Sequence, residues 1–360
     1  MRGNADLLAV IRREIQDRGP LTFARFMELA LYHPQHGYYL PHRKQIGREG
    51  DFFTSSSVGP VFGRFLAMQF VQMWEAMDKP RSFRLLELGA NRMLLCEDIH
   101  RWVAEHRPDF EKAMEYWICE RSWPESTRGT ETIKRLANWT AIEDESIVGC
   151  IFSNELLDAF PVHLVQRQNG RWIERYVNWS EGKLCWKPGP LSFSAEALPP
   201  ILSNQPFTEG YRTEVSLSGP AWLEQMARIL KRGFLLTIDY GYPEADYYAP
   251  HRADGTLLCY HQHRINCDPF ERVGQQDITA HVDFGMLTRN GTRLGLNVAS
   301  FTDQTHFLLA IGRQEIERII GAHPGELDAA RLQLQTLLDP QGMGRTFKVL
   351  IQQKQVSLSL

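Results

Sequence analysis

The chain has 360 residues, 43% hydrophobic and 23% charged, which is enough apolar material for one large domain or two smaller ones and too much for a disordered protein. A formal net charge of -3 and a pI near 6.5 give no global basic field to attract nucleic acid or anionic lipid, so neither is an expected partner. The six cysteines, Cys96, Cys119, Cys150, Cys185, Cys259 and Cys267, form no CxxC pair and no small secreted framework; this pattern predicts reduced thiols and a cytoplasmic protein. The N-terminal MRGNADLLAVIRREIQDRG lacks the apolar core of a signal peptide. Arg64 and polar residues interrupt the most apolar stretch before the roughly 18 residues of a membrane span are reached.

Apolar residues at three and four spacing predict helices over Leu7 to Gln16 and Phe23 to Leu31, joined through Gly19-Pro20. The long loop HPQHGYYLPHRKQIGREGDFFTSSSVGP follows, and its aromatics Tyr38, Tyr39, Phe52 and Phe53 predict packing rather than disorder. A helix from about Val61 to Met77 leads into the buried strand RLLELG, ending at Gly89, and a helix over Leu94 to Val103. Tyr116 to Glu120 reads as a second strand, followed by a helix reaching about Leu136, and Ile147 to Ser153 reads as a third strand ending at Asn154. In VHLVQRQNGRWIERYV two alternating runs flank Asn169-Gly170, a strong hairpin signal. Pro220 opens a further helix, and FLLTIDYG is another buried strand, ending in Asp239. The fold class is therefore α/β, a mostly parallel sheet with antiparallel additions and ligands expected at the C-terminal strand ends.

The residues at those ends are the informative ones. Glu120 lies 31 positions after Gly89 (120 − 89), and a carboxylate at a second strand end can accept both hydroxyl hydrogens of a ribose. The usual spacing in dinucleotide folds is nearer 20, which weakens a nicotinamide reading. Glu87, in the first strand, is either a site residue or a buried carboxylate held by backbone donors. Asn154 and Glu155, with Asp158 close behind in SNELLDAFPV, stand where a substrate atom would meet a cofactor bound over Gly89; the alternative is a capped helix start.

Many collinear segments carry a resemblance to a known family: GPLTFARFMELALYHPQHGYY, GDFFTSSSVGPVFGR, LLELGA, YWICERS, SNELLDAFPV, TIDYG, GTLLCYHQHR, DITAHVDF, TDQTHFLLAIG and MGRTFKVL. From about Gly19 to Leu350 the chain resembles the MidA-like S-adenosylmethionine-dependent methyltransferases, a family that includes a mitochondrial protein arginine methyltransferase. The resemblance implies a Rossmann-like methyltransferase core with a helical N-terminal segment and insertions. It implies S-adenosyl-L-methionine as cofactor, held by Glu87, Gly89, Ala90 and Glu120, with Asn154 and Glu155 near the transferred methyl and Thr54 and Ser55 closing over it. It also implies a protein substrate. The organisation expected is a helical segment with a cofactor-covering loop over 1–80 and a methyltransferase-like domain over 81–360, with a hairpin insertion at about 162–216 and another at about 242–282.

One departure bears on activity. The family's turn ends in a glycine where this chain has Met93, and a non-glycine residue at positive φ costs roughly 1 to 2 kcal/mol, expected here as a five- to thirtyfold loss of affinity. Two readings stay open: an enzyme methylating a protein side chain, or a non-catalytic assembly or binding protein that kept the fold. In the first, Glu155 or Asp158 orients an arginine guanidinium and accepts its proton. In HVDF, His281 and Asp283 are either further catalytic residues or a core histidine and a helix cap. CYHQHRINC offers two cysteines and two histidines but no second ligand pair at finger spacing, so no metal is expected.

Overall fold

The structure, a computed structural model, describes residues 3–40, 54–121 and 133–356. It divides into two compact units, each discontinuous in sequence: Met1–Phe52 with Leu157–Ala221 and Tyr242–Leu287, and Phe53–Leu156 with Trp222–Gly241 and Thr288–Leu360.

The second unit contains the parallel sheet. Its strands are β1 (Phe83–Leu88), β2 (Met114–Cys119), β3 (Ile133–Leu136), β4 (Ile147–Asn154), β5 (Leu230–Tyr242), β6 (Asn297–Asp303) and β7 (Phe347–Lys354). They follow the order β3-β2-β1-β4-β5-β7-β6. The first five are parallel to one another, whereas β7 runs antiparallel to both β5 and β6. Leu85, Leu86, Ile118, Cys150 and Phe152 are fully buried or nearly so, which is why these strands read as continuous apolar runs rather than alternating ones. Two helices supply facing apolar surface: α1 (Pro60–Ala76), with Pro60 at its start, and α2 (Leu94–His106). Phe62, Phe65 and Phe70 from α1, and Ile99 and Val103 from α2, join one core with the strands. The helix expected to reach Leu136 is corrected in part: residues 133–136 form β3, paired parallel to β2, and 122–132 lie outside the described residues. A four-residue strand is too short for its periodicity to be distinguished from a helix end.

The first unit holds the helices Ala5–Arg18 and Phe23–Tyr32, capped by Asn4 and Thr22. Pro20 opens neither helix; it precedes the two-residue strand Leu21–Thr22. This unit also contains the predicted hairpin, His163–Gln168 with Arg171–Ser180. Asn169 and Gly170 both have positive φ, 52° and 70°, the conformation of a tight turn matched to strand twist. The hairpin belongs to an antiparallel sheet of its own, with Leu21–Thr22, Lys183–Gly189 and Arg212–Val215. Of the loop aromatics, Tyr38 is buried and Tyr39 donates its hydroxyl to Asp277 at 3.0 Å; Phe52 and Phe53 lie outside the described residues.

Candidate functional site

Parallel pairing sets the geometry at the strand ends. Leu88 is registered with Cys119 on one side and Ser153 on the other, so the next residues, Gly89, Glu120 and Asn154, emerge at one edge of the sheet. Gly89 has φ 74°, and a Cβ there would stand 3.0 Å from Leu156 Cδ1, so glycine lets the chain turn sharply off β1. Beyond Ala90, Glu120 Oε2 accepts the backbone N–H of Asn91 at 2.9 Å. Met93 follows at φ 64°, ψ 18°, as the residue before α2. Its side chain is buried in the apolar core of this unit, with its sulfur 3.8 Å from an Arg135 nitrogen.

Met93 thus holds the left-handed conformation in which a non-glycine residue is strained by roughly 1 to 2 kcal/mol.

Beneath the turn, Glu87 is buried and accepts the Tyr116 hydroxyl at 2.6 Å. Burial pushes its carboxyl up to about 7; the Tyr116 hydrogen bond works against the shift and the charge of Glu120 adds to it. A carboxyl so placed changes charge near neutrality.

At the end of β4, Glu155 takes a left-handed conformation, φ 55°. Its Oε1 accepts the Ser55 N–H at 3.0 Å and the Asn154 Nδ2 at 2.9 Å. Ser55 is in turn fixed by donating its hydroxyl to Gln304 Oε1 at 3.1 Å, while Thr54 and Ser57 cap one another across a single helical turn. Asn154 Oδ1 is buried and has no hydrogen-bond partner among the described residues. Sequence reasoning noted Asp239 only as the end of a strand. It is fully buried and accepts the N–H groups of Leu156 at 3.1 Å and Tyr240 at 2.8 Å, holding the β4 and β5 ends in place. The available signal was an acid closing an otherwise apolar strand, FLLTID.

The structure thus brings Thr54, Ser55, Glu87, Gly89, Ala90, Glu120, Asn154 and Glu155 into one unit. Asp158, His281 and Asp283 belong to the other. There Asp283 Oδ1 accepts the Met286 N–H at 3.0 Å, a capping bond, and the backbone N–H of His281 donates to Thr256 at 3.0 Å. Burial, reinforced by the charge of Arg252, pushes the His281 imidazole down to about 4. Among the described residues no group of three or more His, Cys, Asp or Glu side chains could hold a metal ion, and no helix is long and apolar enough to cross a membrane.

The family model described as "Putative S-adenosyl-L-methionine-dependent methyltransferase" matches residues 65–302. The mitochondrial protein arginine methyltransferase NDUFAF7 homolog of Drosophila melanogaster is 27% identical, over 97% of this chain and 85% of its own length. The human mitochondrial protein arginine methyltransferase NDUFAF7 is 25% identical, over 95% and 82%. Among solved structures, a "likely methyl transferase" from Burkholderia thailandensis bound to S-adenosyl-homocysteine aligns with a TM-score of 0.88 and 30% identity, over 99% of this chain and 93% of that one. The curated relatives are named as mitochondrial, which overturns the cytoplasmic expectation: free cysteines reflect a reducing environment without distinguishing one reducing compartment from another.

Proposed function

Because the chain belongs to a family of S-adenosyl-L-methionine-dependent methyltransferases, and is an enzyme of that class with that cofactor, we propose that it methylates arginine side chains of a protein. The observation that carries the proposal is the Glu155 carboxylate, fastened by Ser55 and Asn154 at the same sheet edge as Gly89 and Glu120. The names of the relatives, protein arginine methyltransferases, support the same substrate class.

The residues fit the cofactor. The turn at Gly89 and Ala90 carries no side chain beyond a methyl, so backbone can approach a ligand closely. In this proposal Glu120 accepts the ribose hydroxyls while holding the turn through Asn91, and the buried Asn154 Oδ1 accepts from the ligand's ammonium group. When bound, the cofactor supplies an electrophilic methyl on a sulfonium sulfur. The chain's part is orientation and proton removal. A guanidinium is a planar fork of donors that matches a carboxylate; Glu155 aims one nitrogen and takes the proton that nitrogen loses on methylation. Ser55 and Asn154 keep Glu155 from swinging away.

The test uses radiolabelled S-adenosyl-L-methionine with arginine-containing protein substrates, followed by acid hydrolysis and amino-acid analysis. Label in N-methylarginine is expected, and Glu155→Gln should lose it while still binding S-adenosyl-homocysteine by calorimetry. Label found only on a residue other than arginine, or transfer undiminished in Glu155→Gln, would overturn the assignment.

A further inference from the structure

The unit that carries the antiparallel sheet contains a cavity of about 490 Å³, lined by Arg175, Arg212 and Arg252 with Leu164, Trp186 and Leu257 among its apolar walls. That volume is in the range of sites that enclose a small molecule. The arginines come from three separate segments, the strands Arg171–Ser180 and Arg212–Val215 and the turn after Glu244–Tyr247. Three guanidinium groups around one half-enclosed space repel one another unless counter-charges are present.

The acids of the cavity supply them only in part. Arg212 pairs with Asp254, which is exposed. Glu214 is buried, but its carboxylate accepts from neutral donors: the N–H of Thr256 at 3.0 Å, the Thr256 hydroxyl at 3.1 Å, the N–H of Leu257 at 3.2 Å and the Tyr247 hydroxyl at 3.3 Å. The guanidinium carbon of Arg175 lies over the Trp186 ring, 4.3 Å from its centroid, and Arg175 has no carboxylate at ion-pair distance among the described residues. Burial and the neighbouring Arg212 push it down to about 10, against the opposing charge of Asp254. Arg252 is stacked 3.7 Å over the Tyr242 ring, and its Nε donates to the Asp246 carbonyl at 2.7 Å; its two terminal nitrogens make no hydrogen bond among the described residues. Two guanidinium groups, each seated over an aromatic ring, therefore keep unspent donors at one cavity.

The site is built rather than incidental. The turn that presents Arg252 is locked on Glu214: a Cβ on Gly255 would fall 2.2 Å from Glu214 Oε1, and Gly255 has φ 79°. The buried Glu214 carboxylate is spent on the loop that positions Arg252.

We propose that this cavity binds a small organic oxyanion, a carboxylate or phosphate group on an apolar body, through the forks of Arg175 and Arg252. Planar guanidinium groups match both anions bidentately, and Trp186, Leu164 and Leu257 supply apolar contact for the rest of the ligand. The proposal does not depend on the identity of the methyl acceptor.

The test is calorimetric titration of the full chain at constant ionic strength with phenyl phosphate, phenylacetate and inorganic phosphate. Saturable one-site binding of at least one aromatic oxyanion in the millimolar range or tighter is expected, with inorganic phosphate weaker. The phosphate and carboxylate arms decide which headgroup is preferred. Arg175→Met and Arg252→Met should each weaken binding by about ten- to a hundredfold, the scale of lost charge-assisted hydrogen bonds. Arg175→Lys keeps the charge but not the fork and should also lose most of the affinity, with unfolding midpoints close to wild type showing that the variants are folded. Arg13→Met, on an exposed helix position, should change nothing. Absence of saturable binding for every probe, or equal binding in wild type and Arg175→Lys with Arg175→Met, would overturn the proposal.

Discussion

Glu120 Oε2 and the backbone N–H of Asn91 are 2.9 Å apart, so the acid at the end of β2 is fastened to the turn that leaves β1. One carboxylate thus has two tasks: it shapes the turn, and in the proposed site it also receives the ribose. Glu120→Ala should weaken S-adenosyl-L-methionine by about 1.5 to 3 kcal/mol, roughly ten- to a hundredfold. Glu120→Gln should recover part of this loss, because an amide oxygen can still accept the Asn91 N–H. Unchanged affinity by calorimetry in both variants would remove Glu120 from the site.

Met93→Gly separates strain from occlusion. Glycine relieves roughly 1 to 2 kcal/mol of left-handed strain, but loss of the buried side chain costs about 2 to 5 kcal/mol. Urea unfolding should therefore show a net loss of about 0 to 4 kcal/mol, whereas cofactor affinity should stay within about threefold. A large tightening would mean that the Met93 side chain stands in the ligand's way.

Glu87 makes stability depend on pH. Its carboxyl is raised from the ordinary 4.5 to about 7 in the folded chain, so between these values the folded state binds more protons than the unfolded one. Stability must then fall as pH rises from about 5 to 8, by an amount of order 3 kcal/mol for this group. Tyr116, Glu120 and Cys96 are its titratable neighbours. Glu87→Gln keeps an acceptor for the Tyr116 hydroxyl and cannot ionise. Unfolding curves at pH 5 and pH 8 should therefore show wild type losing stability relative to Glu87→Gln; parallel behaviour would contradict the raised carboxyl.

Gly255→Ala tests the lock on Glu214. The added methyl would meet the carboxylate at 2.2 Å, and the combination of left-handed strain with a displaced buried acceptor should cost about 2 to 5 kcal/mol. Gly182→Ala is the matched control: its φ is 77° and nothing lies within 4 Å of the added carbon, so it should show the strain alone. Equal losses in the two variants would mean that Glu214 yields without cost.

The alternation of apolar strands with amphipathic helices was legible in the sequence because burial on both faces leaves continuous runs such as RLLEL and VGCIF. The common edge of Gly89, Glu120 and Asn154 followed from parallel order alone. The Asn169-Gly170 turn was legible because few residues tolerate two successive positive φ angles. β3 was missed because four residues carry too little pattern. The fastening of Ser55 to Glu155 joins positions 100 residues apart, and no local periodicity encodes such a contact. The arginine cavity is illegible for the same reason: Arg175, Arg212 and Arg252 are ordinary surface charges until strand pairing and the turn on Glu214 bring them together.

In the order β3-β2-β1-β4-β5-β7-β6, the strand furthest along the described residues lies between two that precede it in sequence. On the ribosome, β5 is complete at Tyr242, but its partner β7 begins at Phe347, 105 residues later (347 − 242), roughly 5 to 20 s at ordinary elongation rates. Throughout that interval one side of β5 offers an unsatisfied row of backbone donors and acceptors, and β6, whose one neighbour among the described strands is β7, has nothing to pair with. Nascent chains halted before Phe347 would expose two open strand edges, a template for self-association. Synthesis of this protein therefore favours a chaperone-held or slowly collapsing nascent chain over domain-by-domain folding, and truncation near the C-terminus should yield aggregates rather than a weakened enzyme.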